Sequence, residues 1–557
     1  MKLSKFDIGA EVISILTKGM YQDPRDALRE YVQNGIDAGA DSISIKVRQN
    51  SVVIIDNGTG MDYSTLRKSI RVGISDKDPK KKVGFMGIGI YSSFHLCDKL
   101  VIFSHKKDNA PLKLEMDFST MRNTLKEQRQ LRIEDKIDAN ELIDLQTLLE
   151  DCISLTDDGK LSDEDFPTIG TRVELIGLEG NFLNLLSNFT TLASYLQEVI
   201  PLHFDRNKFQ WAEKIENDIQ KICNKHNAAI QLINLFLQVN AISGNLYRPY
   251  EDSNFSNNTP NAPVFRELTK DNIFLGVAWA CLNSDRKKIQ NKELRGFLLK
   301  KQGFAIGNRD KTAPYFRQRT HFDRYVGEII ITNPQILPNA SRSDLEYSQY
   351  STLFFEILAN EVATYYIQES AKYQEQNIAD EQISNFSNFL NKLNVDYKRD
   401  EKDTNVLVNY IVELNNQISN IKGKENNSYI TEQQKKDIKT LLNSAQSFIE
   451  QIQDSINNLA KDAKQTANKT KTKSKSRENA QISIAKKISK IKATKKEIPN
   501  YESLSDLLSD LDIELNDEIK FILEIIDERF IQGYAHNRQE YYEMMSDLRN
   551  TIIENLN

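Results

Sequence analysis

The apolar positions of the chain change period several times, and each change marks a new element. The alternating stretch Ser42–Val47 and the apolar run Val52–Ile55 predict two strands that turn around Gln49-Asn50. Upstream, Phe6–Val12 reads as a strand or arm that leads into a helix ending at Met20. Leu28–Ala38 reads as a helix with Val32 and Ile36 turned to a core. Tyr63–Val72 predicts a helix, Lys99–Ser104, Leu112–Met116 and Gly170–Ile176 further strands, and the acidic stretch 119–165 helices and a loop. A second set of strands follows at 276–282, 296–307 and 326–332. From 351 onward the period is helical. Leu407, Ile411, Leu414, Ile418 and Ile421 alternate spacings of four and three, and Leu442, Ala445, Ile449, Ile452, Ile456 and Leu459 resume the seam after a break at Gly423 and Asn426-Asn427. That arrangement predicts an antiparallel hairpin completed by a third helix or a partner chain.

Composition adds three constraints. A chain of 557 residues exceeds what one core organises, so several units are expected. The net charge of −6 gives the whole chain no affinity for nucleic acid, yet lysines dominate 461–497. That segment is a solvated linker or exposed helix on the simplest view, and a candidate nucleic-acid contact through phosphate on the other. Beyond it, Tyr501–Leu556 is acidic and apolar at helical spacing, as a small dimerisation unit would be. Four scattered cysteines, Cys97, Cys152, Cys223 and Cys281, show no metal spacing and suit a reducing, cytoplasmic setting. No signal-like apolar core and no apolar run of about eighteen residues occurs, so neither secretion nor membrane contact is expected.

The candidate chemistry lies within Leu28–Phe94. Glu30, Asn34 and Asp37 fall at i, i+4 and i+7, on one face of the predicted helix. Two carboxylates and an amide oxygen form a hard donor surface of the kind Mg²⁺ takes together with phosphate and water. Asp56 ends an apolar strand, where it can accept a hydrogen bond from a base amino group; Gly58 and Gly60 let backbone pass close to a flat ring. Gly84, Gly87 and Gly89 open a predicted helix, Ile90–Leu96, and glycines at a helix start offer N–H groups to phosphate. Each run alone also reads as a solvated face, a turn or a loop. Their order and spacing make the pattern.

LREYVQNGIDA, DNGTGM and GFMGIGIYSSF, in that order, resemble the GHKL ATPase superfamily of gyrase, heat shock protein 90, histidine kinases and MutL, and are most similar to heat shock protein 90 over about residues 1–350. The fragment AGADSISIKV is more similar to MutL. The resemblance implies an α+β protein: an N-terminal Bergerat-type ATP-binding α/β sandwich (1–204), an α/β middle or transducer domain (205–350), a helical coiled-coil region (351–460), the basic linker (461–499) and a C-terminal helical unit (500–557). It implies an ATPase using ATP and Mg²⁺, with Glu30 as general base and Asn34 as the metal ligand. Nucleotide contacts would come from Asn34, Asp37, Ala38, Asp56, Gly58, Gly60, Met61, Gly84, Gly87, Ile88, Gly89 and Thr171. The lysine-rich stretch 75–82 takes the place of that family's ATP lid. LPNASRSDLEY (337–347) resembles the loop whose arginine reaches the γ-phosphate from the middle domain, here Arg342; the family's glutamine four residues on is replaced by Glu346. Lys300 and Lys301 are the alternatives to Arg342. The implied partners are a second copy in a homodimer and a client protein. A MutL- or MORC-like enzyme acting on nucleic acid, in genome maintenance or antiphage defence, is the second reading, and an ATP-gated scaffold the third.

Overall fold

The computed structural model describes residues 8–20, 23–74, 87–138, 141–157, 168–285, 287–400 and 402–469. The lid stretch 75–82, Gly84, the basic segment beyond 469 and the terminal unit 500–557 lie outside them. The described chain is mixed α+β and divides into two compact units. The larger runs through Arg399 and takes in Val408–Ile449; the smaller takes in Asp400–Leu407 and the chain from Glu450.

The larger unit opens with helices α1 (Glu11–Met20) and α2 (Asp26–Asp37), then strands β1 (Ser42–Val47) and β2 (Ser51–Asp56) and helix α3 (Tyr63–Ser69). Ahead of α1, the expected strand or arm is reduced among the described residues to one bridge, Gly9 to Asp144. Next come β3 (Cys97–His105), β4 (Leu112–Asp117), α4 (Phe118–Ile133), α5 (Leu145–Cys152), β5 (Ile153–Thr156) and β6 (Gly170–Leu178). Helices α6 (Gly180–Leu186), α7 (Phe189–Val199) and α8 (Ala212–Lys225) precede β7 (Asn234–Val239) and β8 (Ile242–Leu246). All eight strands form one sheet, ordered β5-β4-β3-β6-β2-β1-β7-β8. The sheet therefore extends beyond residue 204: β7 runs parallel to β1, with Ile45 opposite Leu237.

The neighbouring strands β1 and β2 differ in burial. β2 is interior and buried from Val52 to Asp56, as a strand covered on both faces must be, whereas β1 alternates. The predicted helix Ile90–Leu96 is instead a single 3-10 turn, Gly89–Tyr91, followed by tight turns. Its bonds span three residues (Tyr91 N to Ile88 O 2.9 Å, Phe94 N to Tyr91 O 2.9 Å, Leu96 N to Ser93 O 2.8 Å), and Tyr91 and Phe94 are both buried.

A second sheet is built from β9 (Val264–Lys270), β10 (Ile273–Leu282), β11 (Gly296–Lys301), β12 (Phe304–Ala305) and β13 (Tyr325–Ile331), with the short helix α9 (Arg319–Phe322) before β13. Its order is β12-β11-β13-β10-β9. Along β10, Val277, Trp279 and Cys281 enter one core with α8, while Ala278, Ala280 and Leu282 enter the opposite core with α10 (Gln349–Ile357). Gln302 and Gly303, at φ +49° and +88°, make the two-residue turn between β11 and β12.

Helices α11 (Thr364–Asp400), α12 (Thr404–Lys422) and α13 (Glu432–Lys469) follow. The ion pair of Lys424 with Glu375 (2.7 Å) and the bond from Gln434 to Asp380 (2.6 Å) tie the break between α12 and α13 to early α11. Tyr397 and Phe448 meet further along, at 5.3 Å between ring centres. Hence α11 and α13 run the same way and α12 returns between them, so α11 is the third helix that the seam required. Leu414, Ile421, Ala445 and Ile449 are buried. Among the described residues no helix is long and apolar enough to cross a membrane.

Candidate nucleotide site

Helix α2 brings Glu30, Asn34 and Asp37 to one place; Glu30 and Asp37 are buried and Asn34 half-buried. The helix rests directly on the end of β2. A β-carbon on Gly35 would stand 2.9 Å from Asp56 Cβ, so only glycine allows this approach. On the other side, a β-carbon on Gly89 would stand 3.0 Å from Glu30 Oε2 and 3.9 Å from Asn34 Nδ2. The glycine loop and the acidic face therefore share one small volume, with Asp56 on the far side of Gly35.

Asp56 ends β2 beside β6, in register with Thr171, and Thr171 is in turn opposite Ser104 on β3. Its Oδ1 accepts the Gly58 N–H at 2.9 Å. Burial pushes its carboxyl up to about 6, against the opposing pull of the Gly58 and Thr171 backbone donors. Ser104, wholly buried, accepts the Met61 N–H at 2.8 Å and meets Thr171 Oγ1 at 3.1 Å. Thr59 N–H bonds Ala38 O at 3.0 Å, which ties the DNG turn to the end of α2. Gly60 (φ +66°) passes so close to the backbone at His105 that a β-carbon would stand 2.1 Å from its carbonyl oxygen. Gly87 (φ +70°) lies against Ile74, and Ile88 is buried.

The loop 337–347 reaches this site from the second sheet. Arg342 Nε donates to Glu30 Oε1 at 2.9 Å, and both side chains are 11% exposed. Arg342 Nη1 is buried without a hydrogen-bond partner. The residue holds φ +52°, a conformation that a non-glycine residue adopts only where its surroundings enforce it. Asp344 is engaged by Lys311 at 2.5 Å, and Glu346 is exposed.

Lys300 and Lys301 are committed elsewhere. Lys300 Nζ lies 2.9 Å from Glu328, which also takes Arg248 at 2.8 Å, the Tyr250 hydroxyl at 3.0 Å and the Trp279 N–H at 3.2 Å. Burial alone would raise the Glu328 carboxyl; Arg248 and Lys300 hold it below its ordinary range. The Lys300 ammonium is pushed down to about 8 by burial. Lys301 donates to Asn333 O, and burial brings it down to about 7.

The structure thus brings Gly89 and Arg342 to Glu30, with Asn34 also beside Gly89, Asp56 against Gly35 of the same helix and Thr171 opposite Asp56. Three contributors carried no sequence signal on their own. Ser104 matters because β3 pairs with β6, a crossover that spacing cannot reveal. Gly35 matters because α2 presses on β2. Arg29 matters through a contact with Ala305, 276 residues away.

Residues 21–147 match the family described as histidine kinase-, DNA gyrase B-, and HSP90-like ATPases. That segment is a GHKL-type ATPase domain. Two curated relatives match weakly. The chaperone protein HtpG of Rhodopseudomonas palustris (strain BisA53) is 26% identical over a stretch covering 17% of this chain and 21% of that protein. A putative type II restriction enzyme, HgiDII of Herpetosiphon aurantiacus, is 31% identical over 17% of each. The chain thus spans about a fifth of the length of either relative.

The raised carboxyl of Asp56 bears on how nucleotide binding would depend on pH. If ionised Asp56 accepts the adenine amino group, lowering the pH through 6 converts that acceptor into an acid. ATP affinity is then expected to be level above pH 7 and to fall below 6, by up to about tenfold per pH unit. Calorimetric titration from pH 5 to 8 checks this, with Asp56→Asn as the control that loses this component; an unchanged affinity in the wild type would contradict it.

Proposed function

We propose that the chain is an ATP-dependent clamp that hydrolyses ATP at a site shared between the GHKL-type domain and the second sheet. One observation carries the reading: Arg342, from the second sheet's loop, pairs with Glu30 on α2 beside the glycine loop. In this reading Asp56 accepts the adenine amino group, Gly58, Gly60 and Met61 border the ring, and Thr171 supports the base through a water. Gly84, Gly87, Ile88 and Gly89 offer backbone N–H groups to the phosphates. Asn34, whose side-chain amide lies beside that loop, would offer its oxygen to magnesium. Among the described residues no group of three or more His, Cys, Asp or Glu stands together, so such an ion would draw mainly on phosphate and water. Bound there, it would neutralise phosphate charge.

Glu30 takes a proton from the attacking water as its oxygen bonds to the γ-phosphorus, and the bond to the bridging oxygen breaks to release ADP. Its Oε1 faces Arg342, while its Oε2 faces the glycine loop. Arg342 meets the charge that develops on the transferred phosphoryl group. Two copies joined through the terminal helices would close at the nucleotide end, over a client protein.

The chaperone name of one relative supports the client reading. The restriction-enzyme name of the other, together with the lysines of 461–497, supports a second reading in which the clamp acts on nucleic acid. Measuring ATP turnover with duplex DNA or with a denatured protein separates them. Turnover raised by the denatured protein and indifferent to DNA is expected. Stimulation by DNA, lost on deleting 461–497, would transfer the assignment to the second reading. ATP binding without turnover in any mixture would leave a nucleotide-gated scaffold.

A further inference from the structure

Arg29 precedes Glu30 in α2 and is 4% exposed. Its guanidinium donates to the backbone oxygen of Ala305 at 2.5 Å and stands 5.8 Å over the Phe304 ring. Phe304 comes from the second sheet but is packed in the core of the first. The turn before it is pressed onto the same body, since a β-carbon on Gly303 would stand 2.6 Å from Pro201 Cβ. Two residues beyond Ala305, the Gly307 N–H bonds Arg342 O at 2.9 Å. Arg342 then pairs with Glu30, the covalent neighbour of Arg29. The contacts close a ring: Arg29 to Ala305, along the chain to Gly307, across to Arg342, and back to Glu30.

We propose that Arg29 is a positioning residue for hydrolysis, gripping Ala305 so that Gly307 sets where Arg342 stands relative to Glu30. The proposal rests on the roles given above to Glu30 and Arg342. Three features of the ring point to placement rather than to simple packing. First, the grip falls on a backbone oxygen, which moves with the main chain of β12 and not with a rotatable side chain. Second, Gly307 has no slack. It holds φ +58°, and a β-carbon would stand 2.9 Å from Ser343 O, so the loop carrying Arg342 is fixed against it. Third, Arg29 is kept near a second cation. Burial first, and the charge of Arg342 next, bring its guanidinium down to about 10, against the opposing pull of Tyr195, Asp26 and Glu30. Like charges brought together in a buried place are costly unless anions join them; Glu30 already offsets part of that cost, and the phosphate end of ATP would add a further anion beside it in the reading above. A displacement of α2 would carry β12 and the Arg342 loop with it, so nucleotide-driven motion of α2 and the arrival of Arg342 are one event.

Arg29→Met and Gly307→Ala test the two ends of this link in the full chain, with kcat, KM and calorimetric ATP affinity as readouts. Each variant is expected to lose roughly 10- to 100-fold in kcat, as a misplacement of about 1 Å would cause, with ATP affinity within about threefold of wild type. In an Arg342→Ala background neither substitution should lower kcat further, because both act through that arginine. Unchanged kcat in both single variants, or a loss that persists in full without Arg342, would overturn the proposal. If Arg29→Met does not fold, Gly307→Ala in both backgrounds decides. A wild type that binds ATP without turnover refutes the hydrolysis reading and this proposal with it; an active wild type beside two fully active variants refutes this proposal alone.

Discussion

Replacing Glu30 with glutamine should leave ATP bound and slow its turnover by about 100-fold or more. The size follows from the role: a positioned general base contributes about 10²- to 10⁴-fold, and an amide of the same shape cannot take the proton from water. Affinity should hold because the glutamine keeps an oxygen for Arg342 Nε, now 2.9 Å from Glu30 Oε1, and leaves Asn34 and Asp56 in place. The pattern that marks a base is therefore a loss in kcat with little change in calorimetric affinity. Equal turnover in Glu30→Gln and wild type would remove Glu30 from the mechanism. A large loss of affinity would instead make it a binding group.

Removing Arg342 should be at least as damaging. An arginine that meets transferring phosphoryl charge from a separate element is worth about 10³- to 10⁵-fold in other phosphoryl-transfer enzymes. Here it is enclosed, with one nitrogen on Glu30 and another buried without a partner. Such a nitrogen costs free energy until an acceptor reaches it. The left-handed backbone at φ +52° adds a cost of order 1 kcal/mol that the loop sustains. Arg342→Ala should therefore cut kcat by about 1000-fold and leave ATP affinity within a few-fold, since the proposed contacts to adenine and the inner phosphates all come from the first sheet. Arg342→Lys should recover little, because an ammonium cannot reproduce two nitrogens held at fixed spacing.

Much of this arrangement can be read in the chain itself. The acidic face of α2 follows from the spacing of Glu30, Asn34 and Asp37, and the apolar run before Asp56 announces an interior strand. Gly89 beside the acidic face follows from neither; it needs α2 and the glycine loop to be packed together, which only the fold supplies. The same limit explains the other differences. Ile90–Leu96 has helical composition, but its backbone bonds span three residues and the segment settles into tight turns. β7 looks like any alternating strand, and its pairing with β1 is set by the topology of a sheet that reaches past residue 204. Lys300 and Lys301 looked equivalent as neighbours in sequence. A strand sends neighbours to opposite faces, and these two end on Glu328 and on the Asn333 carbonyl. Asp344 and Glu346 stand two and four residues beyond Arg342, yet the fold gives Asp344 to Lys311 and Arg342 to Glu30.

The most direct measurement is ATP hydrolysis by the wild-type chain beside Arg342→Ala, with ATP affinity of both determined calorimetrically in Mg²⁺. A site completed by the second sheet requires measurable turnover in the wild type, a loss of about 1000-fold in the variant, and affinities within a few-fold of each other. Equal turnover in the two proteins would contradict a site shared between the sheets, and ATP binding without hydrolysis in the wild type would contradict hydrolysis itself.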